Sequence, residues 1–167
     1  LGRIDKAKTV VDQMLTIWPG DNVNWYRLIY AHHAREVDLA ARLEGLRLAG
    51  LPERPFGFDG DPALRLDSAE ILALTEGATW SGEIVGAGPF TQYLQPDGRY
   101  LERGPDYQLT GEFDLNDDML CVRSPAVLMG RADCAPIYRA KGTSQAGLME
   151  YSFPSAYWLK KFTVKKQ

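Results

Sequence analysis

The sequence predicts an α+β chain: a repeat-like helical segment over residues 1–51, a proline-rich connector over 52–67, and an antiparallel β domain, strongly curved or barrel-like, over 68–167. Three observations carry this reading. Apolar residues in the first fifty positions recur every three or four residues, the helical period. A stretch dense in proline and glycine follows. From Gly77 onward, short alternating segments are separated by tight-turn residues with no long helix between them, so neighbouring strands must run antiparallel.

Composition narrows the function classes. With 167 residues, 45% hydrophobic and 25% charged, the chain can bury one good core or two small ones. A net charge of -3 and a pI near 5.4 argue against a nucleic-acid platform, which needs a basic face to recruit phosphates. No apolar run approaches the roughly 18 residues of a membrane span, and the amino terminus lacks the charged-then-apolar pattern of an export signal. Because Leu1 falls in mid-pattern, we expect a piece of a longer protein, and the compartment stays open.

In chain order, Leu1, Gly2, Ile4, Ala7, Val11, Met14, Ile17 and Trp18 define a first helix, which Pro19 and Gly20 stop. Asp21 or Asn22 can cap a second, with Trp25, Leu28, Ile29 and His32 on one face and an end near Arg35. A third starts at Val37 or Asp38, runs through Leu39, Leu43 and Leu46, and stops at Gly50 and Pro52.

The run Leu1-Gly2-Arg3-Ile4-Asp5-Lys6-Ala7, with Val11, Met14 and Pro19, resembles the second helix of a tetratricopeptide repeat. If Pro19 closes one unit, the next begins at Asn22 and places Trp25, Leu28 and Ala41 where that family prefers tryptophan, leucine and alanine. Ile29, Met14, Leu48 and Glu53 depart from the pattern, so the resemblance covers one and a half degenerate repeats in the first third of the chain. It implies a protein-interaction scaffold whose concave face exposes Val23, Tyr26, Tyr30 and His33. The alternative is that Tyr26 and Tyr30 simply pack against their neighbours.

Residues 51–67 hold Pro52, Pro55, Pro62, Gly57 and Gly60, with Phe56 and Phe58 pinning the stretch to a surface. Asp67 or Ser68 caps a short helix through Ile71 and Leu74, which covers one end or face of the sheet. Strands are expected over 78–85, 90–95, 99–103, 107–115, 119–123, 134–140, 148–153 and 157–164, six to eight in all. Pro96-Asp97-Gly98 and Asn116-Asp117-Asp118 make tight hairpins.

Gly77 with Trp80 resembles the opening of lipocalin-like barrels, one residue too long in spacing. Thr79 to Gly82, Pro96 to Gly98, Gly111 to Phe113, Cys121 and Cys134 are more similar to small β modules of exported bacterial proteins. Helical repeats joined to such a tail, with Leu46 to Glu53, resemble the carboxyl-terminal regions of multidomain bacterial class III adenylyl or guanylyl cyclases. That resemblance implies a regulatory region in cAMP-type signalling, with the catalytic domain elsewhere in the parent.

Candidate chemistry is sparse. Serine nucleophile elbows, phosphate loops and zinc-protease motifs are absent from the sequence. Two cysteines with only His32 and His33 to join them do not make a zinc site, and we expect neither a metal nor a cofactor. Cys121 and Cys134 fit a disulfide across neighbouring strands in an oxidising compartment, or two buried thiols in a reducing one. Glu112, Asp114, Asp117 and Asp118 form the densest acidic group, although aspartates at a turn usually serve the local backbone. Arg99, Arg103, Arg123, Arg131 and Arg139 could cradle an anion if several pointed inward, but along strands they usually face water. The basic, aromatic end from Tyr157 to Lys166 reads as a final edge strand whose lysines discourage pairing with other chains, or as a surface touching an anionic membrane.

The leading expectation is therefore a non-catalytic regulatory or interaction region, binding a protein through the helices or a small ligand in the β domain. The second is an exported carrier holding an apolar ligand against Trp80, Phe90, Tyr93 and Phe113. The third is an enzyme using the acidic turn.

Overall fold

The computed structural model describes residues 2–31, 35–127, 130–143 and 147–166, and the chain divides into two units, Leu1–Asp59 and Gly60–Gln167. The proline-rich stretch 52–67 is shared between them.

In the first unit, α1 (Gly2–Ile17), α2 (Val23–Tyr30) and α3 (Glu36–Leu48) follow the apolar period of the sequence. Asn22 caps α2, its side chain accepting from the Trp25 N–H at 2.9 Å. The returning chain satisfies further first-turn donors, Val23 N–H to the Pro52 carbonyl (2.8 Å) and Asn24 N–H to that of Glu53 (3.2 Å). Gly50, at φ 93°, takes the left-handed position that ends α3, and Leu51 N–H closes back on the Leu46 carbonyl. Val11, Val23, Leu43, Ala49 and Leu51 form the core. Two expectations change here. α2 stops at Tyr30 rather than near Arg35, and Val23, expected on an exposed face, is fully buried because the first turn of α2 faces that core.

The second unit opens with a pairing of Arg65 to Tyr138 and α4 (Ser68–Thr75), whose start is fixed by a capping box between Asp67 and Glu70. Nine strands follow among the described residues: β1 (Ala78–Ile84), β2 (Gly88–Leu94), β3 (Arg99–Arg103), β4 (Gln108–Asn116), β5 (Met119–Arg123), β6 (Asp133–Ala135), β7 (Tyr138–Thr143), β8 (Met149–Pro154) and β9 (Leu159–Lys166). They form one sheet in the order β6-β5-β4-β3-β2-β1-β9-β8-β7, with every pairing antiparallel.

The segment 134–140, read as one strand, is two strands on opposite edges. Pro136 cannot donate to a ladder, and the chain leaves one edge there and joins the other at Tyr138. A flat sheet of nine strands would set its edges about 38 Å apart, whereas the link from Ala135 to Tyr138 reaches about 11 Å at most. The sheet is therefore a strongly curved half-barrel. The last strand is also not an edge: β9 pairs with β1 along seven residues and with β8 on its other side. Its lysines alternate, with Lys161 and Lys165 outward and Lys160 buried inside.

Curvature needs close backbone approach. A Cβ on Gly82 would sit 1.9 Å from the Lys161 carbonyl oxygen, so only glycine lets β1 and β9 close there. The interior beside it is filled. The Trp80 ring stacks on Phe162 at 4.0 Å and meets Phe153 edge-on at 6.5 Å, and its indole N–H donates to the Leu74 carbonyl of α4 at 2.8 Å. Leu66, Ile71, Ile84, Leu120 and Ile137 complete this apolar packing.

Candidate functional site

Strand alternation carries some polar residues into the interior. On β2 the inward set is Phe90, Gln92 and Leu94, and on β3 it is Tyr100 and Glu102; Gln92 lies directly opposite Glu102. Lys160 of β9 reaches across to both. Its ammonium donates to Gln92 Oε1 at 3.1 Å and forms a short ion pair with Glu102, while the Phe90 ring lies 5.1 Å away. Exposures of 4% for Lys160 and 1% each for Gln92 and Glu102 make this an ion pair removed from water. Tyr107 adds a hydroxyl donating to Glu102 Oε1 at 3.0 Å. With its oxygen fixed on Lys160, the Gln92 amide leaves its buried Nε2 without an acceptor among the described residues.

Asp133 on β6 closes this polar end. Its carboxylate accepts the Ala156 and Tyr157 backbone N–H groups at 2.8 and 3.1 Å, joining one sheet edge to the β8–β9 turn. A cavity of about 30 Å³, room for about one water, is lined here by Tyr100, Glu102, Ser124, Asp133, Trp158 and Lys160 among others.

Burial raises Tyr100, Tyr107 and Asp133 within this cluster. It pushes the Tyr100 hydroxyl up to about 12, with the Glu102 charge adding to the shift, and it raises Tyr107 in the same way. Burial also raises the Asp133 carboxyl, against the pull of the Ala156, Ser155 and Tyr157 hydrogen bonds and of Lys160. Both tyrosines remain neutral at neutral pH, and Tyr107 and the Lys160 ammonium both engage Glu102. Chemically the cluster orders the interior, in a space too small for a substrate.

The roomier concavity lies on the outside of β3–β5. A groove of about 740 Å³ is lined by Arg99, Leu101, Thr110, Glu112, Arg123 and Pro125, among others. Its arginines point outward, as expected, and are tied down locally, Arg99 to Asp97 (2.7 Å) and Arg123 to Asp114 (3.0 Å).

The residues singled out from sequence do not converge. Trp80 and Phe90 are buried in the core, Tyr93 faces outward beneath Arg103 at 6.0 Å, and Phe113 borders a shallow pocket of about 300 Å³ with Leu72 and Pro96. Tyr26 and Tyr30 stack at 6.0 Å, with Arg42 over Tyr30 at 4.1 Å and the Tyr26 hydroxyl on the Met14 sulfur. His32 and His33 lie outside the described residues. Cys121 and Cys134 are bonded to each other. In the acidic group, Glu112 and Asp114 face outward, and Asp117 and Asp118 take the left-handed conformation of the β4–β5 turn. Asp118 accepts from the Ser68 backbone N–H (2.7 Å) and hydroxyl (2.5 Å), anchoring α4 to that turn.

Sequence reasoning missed Gln92, Glu102, Asp133 and Lys160. The signal was present: Gln92 and Glu102 occupy the apolar phase of their strands, in Phe90-x-Gln92-x-Leu94 and Tyr100-x-Glu102. Among the described residues no group of three or more His, Cys, Asp or Glu is arranged to hold a metal, and no helix is long and apolar enough to cross a membrane.

Fold and site together define an α+β chain with a half-barrel sheet curled around a filled, partly ionic interior. No protein-family model, curated protein or solved structure matches it.

Proposed function

We propose that this chain is a non-catalytic regulatory or interaction region, and that its β domain receives a segment of a protein partner on its outer surface. The observation that carries this reading is the contrast between a packed interior, with about 30 Å³ free at its polar end, and the outer groove of about 740 Å³. The groove combines a half-buried leucine floor, Leu101, with Arg99, Arg123 and Glu112 at its sides, a mixture suited to a peptide carrying both charges. The Cys121–Cys134 bond favours an oxidising compartment. The resemblance of the helices and of Leu46–Glu53 to cyclase carboxyl-terminal regions makes a bacterial multidomain signalling protein, such as a nucleotide cyclase, the parent in this reading. Partner binding would then shift the parent between two states, given unequal affinity for them.

The test is selection of displayed random peptides on the purified chain, followed by titration against a Leu101→Arg/Thr110→Arg variant. Enriched peptides should lose affinity about tenfold or more on that variant, the usual effect at an interface centre. Absence of enrichment, or binding indifferent to both substitutions, rejects the reading.

A further inference from the structure

β6 is the shortest strand of the sheet and lies at its edge. It has three residues and one neighbour, pairing Leu120 with Ala135, Cys121 with Cys134 and Val122 with Asp133. Two side-chain devices supplement that ladder, and they sit on adjacent residues. Cys134 is bonded covalently to Cys121 of β5, and Asp133 grips the Ala156 and Tyr157 N–H groups of the β8–β9 turn. Alternation sends them to opposite faces: Asp133 points inward with 3% exposure, whereas Cys134 is exposed on the outside. The outer covalent bond therefore sets the position of the inner carboxylate.

We infer that the Cys121–Cys134 disulfide is a redox-operated clasp on the polar end of the half-barrel. Its reduction frees β6, withdraws Asp133 from the β8–β9 turn and opens the Lys160–Glu102 chamber to solvent. The long ladders between β1 and β2 and between β1 and β9, seven residue pairs each, do not involve β6 and stay in place. Access fixes the order of events. Cys134 is exposed while Cys121 is 2% exposed, so an incoming thiolate attacks the Cys134 sulfur. The S–S bond breaks, its electron pair leaves on the Cys121 sulfur, and that thiolate takes a proton from water. With a dithiol reductant, the second thiolate attacks the mixed disulfide and expels Cys134, which is protonated in turn. The protein gains two electrons and two protons, and the dithiol becomes a cyclic disulfide.

The test uses the intact chain with and without dithiothreitol, following amide hydrogen exchange and free-thiol count. Two thiols should appear per chain, and exchange at Ala156 and Tyr157 should accelerate about tenfold or more, while Trp80 and Phe90 amides keep their protection. An Asp133→Asn variant, with the disulfide intact, should accelerate the same two amides. Unchanged exchange at Ala156 and Tyr157 on reduction overturns the clasp, as does loss of protection across β1 and β2. A limiting monothiol should appear on Cys134 by peptide mass spectrometry, and its appearance on Cys121 overturns the assigned order. Reduction of folded protein is reversible, so the test does not depend on a cysteine variant folding.

Discussion

The two ends of the half-barrel interior are built on opposite principles. At one end Trp80, Phe153 and Phe162 fill space with aromatic contact, and the one polar atom, the Trp80 indole N–H, has its acceptor on Leu74. At the other end, Lys160, Glu102, Gln92, Tyr107 and Asp133 replace apolar contact with an ion pair and aimed hydrogen bonds, leaving a cavity of about 30 Å³ and, among the described residues, no acceptor for the Gln92 Nε2. The apolar end gains stability without depending on direction. The ionic end gains less, because charges removed from water give back much of their attraction in desolvation. At this ionic end Asp133 ties the edge strand β6 to the β8–β9 turn.

The largest effect should come from the apolar end. Trp80→Ala removes a fully buried side chain and leaves the Leu74 carbonyl without its donor, and a loss of about 4 kcal/mol is expected in denaturant unfolding. A loss below about 1 kcal/mol would mean that the cavity collapses freely and that the aromatic stack is not the main core.

The ionic end should respond non-additively. Glu102→Ala leaves the buried Lys160 ammonium with the Gln92 oxygen but no counter-charge and takes the Glu102 acceptor from the half-buried Tyr107 hydroxyl, for an expected loss of about 3 kcal/mol. Glu102→Leu combined with Lys160→Met should recover most of it, because the charge left without a partner is gone. If each single change costs little and the double change costs their sum, the pair is an ordinary solvated contact and the contrast between the two ends fails.

The sheet also depends on close backbone approach at Gly82 and Gly111. Gly82→Ala places a Cβ against the Lys161 carbonyl, whose atoms belong to the main chain and cannot rotate away. Overpacking of this kind costs about 2 kcal/mol. A neutral Gly82→Ala would show that β1 and β9 can separate without loss of curvature.

How much of this was legible follows from the same division. The helical period gave α1 and α3, and of the two cap candidates at each start, Asp21 or Asn22 and Asp67 or Ser68, the caps are Asn22 and Asp67. The turn residues placed most strand boundaries within two positions, because Gly, Pro and Asp act on neighbours in sequence. The split of residues 134–140 was hidden, since nothing local tells a chain crossing between edges from a bulge at Pro136. The central place of β9 was hidden too: Lys160, Lys161, Lys165 and Lys166 resemble edge protection, and only the partner on β3 reveals that Lys160 turns inward. The four aromatics grouped as one site were separated by strand phase, with Phe90 inward and Tyr93 outward on the same strand. Long-range pairing, rather than composition, decides such questions.

The smallest effect, and the most diagnostic in sign, concerns two aspartates. Burial raises the Asp133 carboxyl, whereas Ser68 hydrogen bonds hold Asp118 below its ordinary 3.8. For Asp118 the unfolded chain takes up a proton at a higher pH than the folded chain, so its stabilisation is present above 3.8 and is lost as pH falls through the folded value. For Asp133 the order is reversed. The folded chain takes up the proton first, so this group lowers stability as pH rises from 3.8 through its raised value. Thermal midpoints measured between about pH 5 and about pH 2 should therefore diverge: Asp118→Asn flattens the acid loss of the parent chain, and Asp133→Asn steepens it by removing the opposing term. If both variants shift the acid limb in the same direction, the Asp133 carboxylate is solvated and the polar end of the half-barrel is open to water even when oxidised.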